Sequence, residues 1–266
     1  GLKKLDLWKN PIESLPSDFG GLESLEVLNL KKCRLRDLPE SFGNLKKLKT
    51  LDLSQNHLES LPESFGGLES LEKLKLRNNK LRKLPSSIGN LTMLAELDIC
   101  DNALQCLPPS FGRLNNLKHL QLKGNKLAAL PDSFGNLNML KTLDVSANKI
   151  SALPESFGNL KRLKTLLFND NGLKSLKQVV ELIGLRHLEI KGNDLEEIPR
   201  GVSKLKQLVE INAIWNRFKT VPDTIADLKS LKVLRLSHND LTDLPDAVKL
   251  RIPDLRITMH DNPRDD

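Results

Sequence analysis

The chain has 266 residues, 39% apolar and 28% charged, the balance of a folded chain with a sizeable core rather than a disordered one. No apolar run approaches the ~20 residues of a membrane-crossing helix, and three scattered cysteines do not make a disulfide framework. The net charge of +7 comes from Lys and Arg spread along the whole chain, without the concentrated patch that nucleic acid calls for, so neither a nucleic-acid partner nor membrane insertion is expected.

The chain repeats itself from its first residues. Leu2 to Ile12 and Leu25 to Leu35 are early copies of a pattern whose full form, LxxLxLxxNxL, stands at Leu48 to Leu58. It returns at Leu71, Leu94, Leu117, Leu140, Leu163, Leu185, Leu208 and Leu231. The Asn column runs Asn10, Cys33, Asn56, Asn79, Asn102, Asn125, Asn148 and Asn171 in steps of 23, then one step of 22 to Asn193, then Asn216, Asn239 and Asn262. That makes about twelve units, the last one degenerate. In each unit the alternation of LxL predicts a short half-buried strand, and stacked strands predict a parallel sheet. No unit can bury its Leu set alone, so stability must come from neighbours.

The second half of each unit reads L-P-x-S-F-G-x-L, as in Leu61 to Leu68 and Leu153 to Leu160. Pro and Gly in every copy predict loops and short helical turns rather than full helices. Phe19, Phe42, Phe65, Phe111, Phe134 and Phe157, with Ile88 in register, are expected to stack as a spine under the convex side. The Gly after each is expected where the backbone is tight or φ is positive. Each Asn amide is expected to bridge the backbones of adjacent turns, since it both donates and accepts. Cys33 breaks that column and predicts a weaker junction.

The segment 172–193 departs from the pattern: Leu-Pro and Phe-Gly are gone and the unit is one residue short. Loss of Pro predicts a longer helix there, a change of curvature and a boundary between two sub-arrays. Near the end, Ile252-Pro253-Asp254-Leu255 shifts the pattern by one residue, and polar Asn262 to Asp266 reads as a modest cap. The first unit opens on its own strand with no cap before it, so either a longer parent chain or minimal caps are expected.

The repeat resembles the leucine-rich-repeat superfamily over essentially the whole chain. Its 23-residue form is similar to the intracellular Ras-associated group, which includes the plant intracellular Ras-group proteins, Scribble and Erbin. Similar repeats occur in bacterial leucine-rich-repeat proteins and in Roco-type GTPases. The resemblance implies an α/β repeat fold, a right-handed horseshoe solenoid with a concave parallel sheet. It implies a protein-interaction module, with a small GTPase, kinase or phosphatase as partner, in a cytoplasmic signalling or scaffold protein. A secreted or bacterial-surface recognition protein and a regulatory segment of a larger enzyme remain as alternatives.

Outward strand positions are expected six, four, two and one residues before the Asn, and function in such a solenoid is expected there, on side chains free of packing duties. Leu167, Ile214, Trp215 and Trp8 stand out as apolar exceptions in their columns, and the first three are drawn from units two apart. Asn169, His187, Glu189, Lys191, Glu210, Asn212, Arg235 and His238 surround them. An apolar centre holding a Trp within a charged rim has the make-up of an interface hot spot, so this group is the principal partner-binding candidate. Lys73, Lys75 and Arg77, outward on one strand, form a second candidate for a charged partner.

No Gly-rich phosphate loop, HExxH helix or paired CxxC is present, so neither catalysis nor a cofactor is expected. Glu96, Asp98, Cys100 and His119 are expected on adjacent strands, but an open sheet offers them no water-excluded pocket. Cys100 is retained as a candidate reactive surface thiol.

Overall fold

The computed structural model describes residues 1–251 and 255–263. The shift at Ile252-Pro253-Asp254 and the Arg264-Asp265-Asp266 part of the polar tail lie outside the described residues. Twelve three-residue strands form one parallel sheet in chain order. They are β1 (Lys4–Asp6), β2 (Val27–Asn29), β3 (Thr50–Asp52), β4 (Lys73–Lys75), β5 (Glu96–Asp98), β6 (His119–Gln121), β7 (Thr142–Asp144), β8 (Thr165–Leu167), β9 (His187–Glu189), β10 (Glu210–Asn212), β11 (Val233–Arg235) and β12 (Arg256–Thr258). The sheet lines the concave side of a horseshoe solenoid. Pairing keeps the repeat in register throughout, so that Asp52, Lys75, Asp98, Gln121 and Asp144 lie side by side.

The middle Leu of each strand and the Leu two residues on point inward: Leu51, Leu53, Leu74, Leu76, Leu120 and Leu122 are all buried. Burying each contributes roughly 1.5–3 kcal/mol, and one continuous core results. Behind it the Phe rings stack nearly parallel, with centroids 5.9 Å apart for Phe19 and Phe42 and 6.1 Å for Phe42 and Phe65. Ile88 interrupts the stack, which resumes from Phe111 to Phe157.

The convex segments are 3-10 turns, mostly of five residues, each of these entered through an extended Pro such as Pro62 or Pro131. The spine glycines owe their place to close approach, not to a positive φ. A Cβ on Gly43 would collide with the Ser64 carbonyl oxygen, and one on Gly135 with that of Ser156. The last convex segment is an α-helix, α1 (Asp246–Arg251).

The Asn column forms the expected ladder. Asn125 Nδ2 donates to Ile99 O at 3.0 Å and Leu122 O at 2.9 Å, while its Oδ1 accepts from Leu104 N at 3.0 Å. At the break, Cys33 Sγ donates to Leu7 O at 3.3 Å and leaves Ile12 N to a local bond with Asn10 O at 2.8 Å.

The segment 172–193 corrects one expectation. Its turn is shorter, not longer: only Val179–Glu181 is 3-10. The unit has one residue fewer to span the same coil, and two β-branched Val residues are poor helix formers. The sheet runs unbroken from β8 to β9, so pairing shows no boundary there. With Val179 and Val202 in place of Phe, a cavity of about 10 Å³ remains among Leu176, Leu188 and Ile198. Its lining is apolar on every side, so it stays dry.

Candidate functional site

Each strand ends in a fixed sequence of backbone bonds, and these decide which side chains are free. Where the third strand residue is Asp or Asn, its Oδ1 accepts from the N–H two residues on, as in Asp52 to Ser54 at 2.9 Å and Asp98 to Cys100 at 3.0 Å. The residue just before the ladder Asn then takes a left-handed conformation. That turn aims its N–H at the next coil: Gln55 N reaches Arg77 O at 2.7 Å. The column one residue before the Asn is therefore a turn on the rim of the sheet, not an outward strand position. Gly124, Gly192, Asn78 and Asp101 in that column, all residue types that accept a positive φ, were the signal in the sequence.

Trp215 occupies this position at φ 58°, where a bulky side chain is strained by roughly 1–2 kcal/mol. It is 55% exposed. Its ring lies flat on His238, the next residue in the same column, with centroids 3.9 Å apart and planes within 7°. His238 Nε2 lies 3.3 Å from Asp261 Oδ2, which continues the platform to the next unit. Ile214, beside Trp215, is half-buried.

The charged neighbours form ladders across the strands. Glu210 sits between His187, whose Nδ1 is 3.6 Å away, and Arg235, with which it pairs directly. Asn212 Nδ2 donates to Glu189 Oε2 at 2.7 Å. Such half-exposed pairs contribute ~0–1 kcal/mol each, so they shape the surface more than they stabilise it. Lys191 is exposed.

Leu167 is half-buried at the end of β8, in the row of Glu189, Asn212 and Arg235. Being Leu, it cannot close its own strand end. Asn169 N turns instead to Ser146 Oγ at 3.2 Å, and Asn169 Oδ1 accepts from Lys191 N at 2.9 Å. Part of the Asn169 amide is thus committed to the backbone. Leu167 lies two strands from Asn212, about 9.6 Å, and Trp215 lies three residues beyond Asn212 on the rim. The two share the concave side but mark a broader patch than one strand row.

Lys73 and Arg77 are exposed and paired, to Glu96 at 2.9 Å and Asp101 at 3.0 Å. Lys75 is exposed and, among the described residues, makes no ion pair. Lys73 and Lys75 border a cleft of about 430 Å³ with Glu96, Asp98, His119, Gln121 and Thr142.

Cys100 corrects the sequence reading. It is 3% exposed and its thiol is pushed up to about 12, chiefly by burial and then by the Asp98 carboxylate. At neutral pH it carries essentially no thiolate, the reactive form. Of the three free cysteines only Cys106 is exposed. Among the described residues no group of three or more His, Cys, Asp or Glu side chains is placed to hold a metal ion. None of the described helices is long and apolar enough to cross a membrane.

Two family models match: a leucine-rich repeat region over residues 1–80 and 109–174, and a leucine rich repeat over 74–127 and 183–241. The fold superposes on a leucine-rich-repeat protein of Leptospira interrogans with a TM-score of 0.93 and 33% identity, covering 99% of this chain and 68% of that one. It also matches a TDR receptor at a TM-score of 0.86 and 28% identity, over 99% of this chain and 48% of that one. Among curated proteins, the probable inactive serine/threonine-protein kinase roco10 of Dictyostelium discoideum is 34% identical over 71 residues, 27% of this chain. The volume-regulated anion channel subunit LRRC8B of Mus musculus is 36% identical over 75 residues, also 27% of this chain. The matched stretch is 3% and 9% of the length of those two proteins.

Proposed function

This chain belongs to the leucine-rich-repeat family, whose domains are generally protein-interaction modules, and from that premise we propose that it binds a protein partner on its concave side, centred on Trp215. The observation that carries this reading is the strained, exposed Trp215 stacked on His238. The same left-handed turn is made by Lys9, Gln55, Ala147 and His238, so the turn itself does not call for a Trp. With Ile214 and Leu167 it offers an apolar surface, and the ladders of His187, Glu189, Glu210, Asn212 and Arg235 supply a polar rim. Lys191 and His238 border it.

In this reading the chain serves an intracellular scaffold or signalling protein, with a small GTPase, kinase or phosphatase as partner. The short match to the Roco-type protein supports that setting. A second reading, a bacterial recognition protein at the cell surface, draws on the match to the Leptospira protein across 99% of the chain. Protease shaving of intact cells separates the two, because only a surface protein is cleaved before lysis.

The site is tested with Trp215→Gly and Leu167→Asp. Gly suits the left-handed turn, and Asp restores the strand-end acceptor that Asp52, Asp98 and Asp144 provide. Both variants are expected to fold. Partners captured by the wild type and titrated against each variant should lose at least about 2 kcal/mol, the scale of a hot spot. Undiminished affinity in both variants overturns the assignment.

A further inference from the structure

The concave face of β2–β7 carries a period the sheet makes visible. Two residues before each ladder position the side chains alternate between long basic and small: Lys31, Ser54, Arg77, Cys100, Lys123, Ser146. The small ones are buried between their neighbours. Over Ser54 the surface sinks into a hollow of about 280 Å³, flanked by Lys31 and Arg77. Basic groups therefore recur at every second strand, about 9.6 Å apart at a strand spacing of ~4.8 Å.

We propose that this row docks an extended acidic peptide carrying a carboxylate at every third residue. The inference rests on the concave-side reading above and adds a partner chemistry. A polyproline II segment rises ~3.1 Å per residue with three residues per turn, so its like-facing side chains recur every ~9.3 Å, close to the basic row. A β-strand repeats on one face every ~6.8 Å and fits poorly. Lys31 and Lys123 make no ion pair among the described residues, and Arg77 has only the half-buried Asp101, so all three can turn to a ligand. In the adjoining row Asp52, Asp98 and Asp144 fall on the intervening strands, each with one oxygen held by a backbone N–H. These carboxylates repel a continuous polyanion and favour spaced charge.

The test is fluorescence anisotropy of labelled (Glu-Pro-Pro)4 against the whole chain. Two further probes have the same four Glu, one in a single block and one with three Pro between them. The every-third-residue peptide is expected to bind about tenfold tighter than either, with affinity falling as salt rises. The double variant Lys31→Ser, Lys123→Ser copies the neighbouring units and so keeps the fold; it should remove that preference. Equal binding of all three peptides, tighter binding of a sulfated oligosaccharide or an oligonucleotide, or no binding at all overturns the proposal. None of these results touches the Trp215 assignment, which stands or falls on its own variants.

Discussion

Replacing Cys33 with Asn restores the one missing rung of the ladder and should stabilise the first junction. Cys33 now makes a single S–H···O contact at 3.3 Å to Leu7 O and a distant one at 4.0 Å to Lys31 O. In the next unit Asn56 donates to Leu30 O and Leu53 O and accepts from Leu35 N, at 2.8, 2.9 and 3.0 Å. By that geometry the amide introduced by Cys33→Asn would replace one weak bond with three ordinary ones, to Leu7 O, Leu30 O and Ile12 N. Two added bonds at roughly 0.5–1.5 kcal/mol each set an upper range of about 1–3 kcal/mol. The gain is discounted because Ile12 N already has Asn10 O at 2.8 Å and Leu7 O already has Asn10 Nδ2 at 3.0 Å. On the same scale, about 1–2 kcal/mol remains. In a solenoid this appears first in the unit concerned, so the assay is hydrogen exchange at Ile12 with urea denaturation alongside. Exchange at Ile12 should slow about tenfold, the equivalent of ~1.4 kcal/mol. If exchange and midpoint are both unchanged, the ladder does not hold the coils together in the way described.

The converse change, Asn125→Ala, should cost about 2–4 kcal/mol by urea denaturation. It orphans the buried Leu104 N, whereas Ile99 O and Leu122 O keep Asn102 and Asn148 as donors. Trp215→Gly should leave the melting free energy within about 1 kcal/mol, because relief of backbone strain offsets the lost stack on His238; a much larger loss would make Trp215 a structural residue. Thiol reagents should label Cys106 alone in the native protein, with Cys33 and Cys100 reacting only on unfolding. Because burial raises the Cys100 pKa from 9.0 to about 12, the native state keeps a proton that the unfolded state loses. Stability should therefore fall between about pH 9 and 12. Cys100→Ser should lack that contribution, and identical pH profiles would refute it. Val202→Ile should gain up to about 0.8 kcal/mol by filling the neighbouring cavity, and Val202→Phe should lose about 1–3 kcal/mol through overpacking.

The coil and its register were legible in the sequence because both are set by a period. Leu51 and Leu53 face inward because LxL alternates, and Asn56 bridges coils because its amide both donates and accepts; neither inference needs a neighbour's position. The spine from Phe19 to Phe157 followed from the same register. The sequence also marked Leu167 and Trp215 as exceptions, by comparison down each column. What it did not settle depends on what lies alongside. Cys100 is unreactive because the stacked coils bury its thiol, with the Asp98 carboxylate acting in the same direction, although its column reads as outward. The glycines are needed because the next coil's Ser carbonyl comes close, a distance no single unit contains. Trp215 sits on the rim, against His238, because a left-handed residue must send its N–H to the following coil. Local pattern decides which way a side chain points; only the stacking of one coil on the next decides what it meets there.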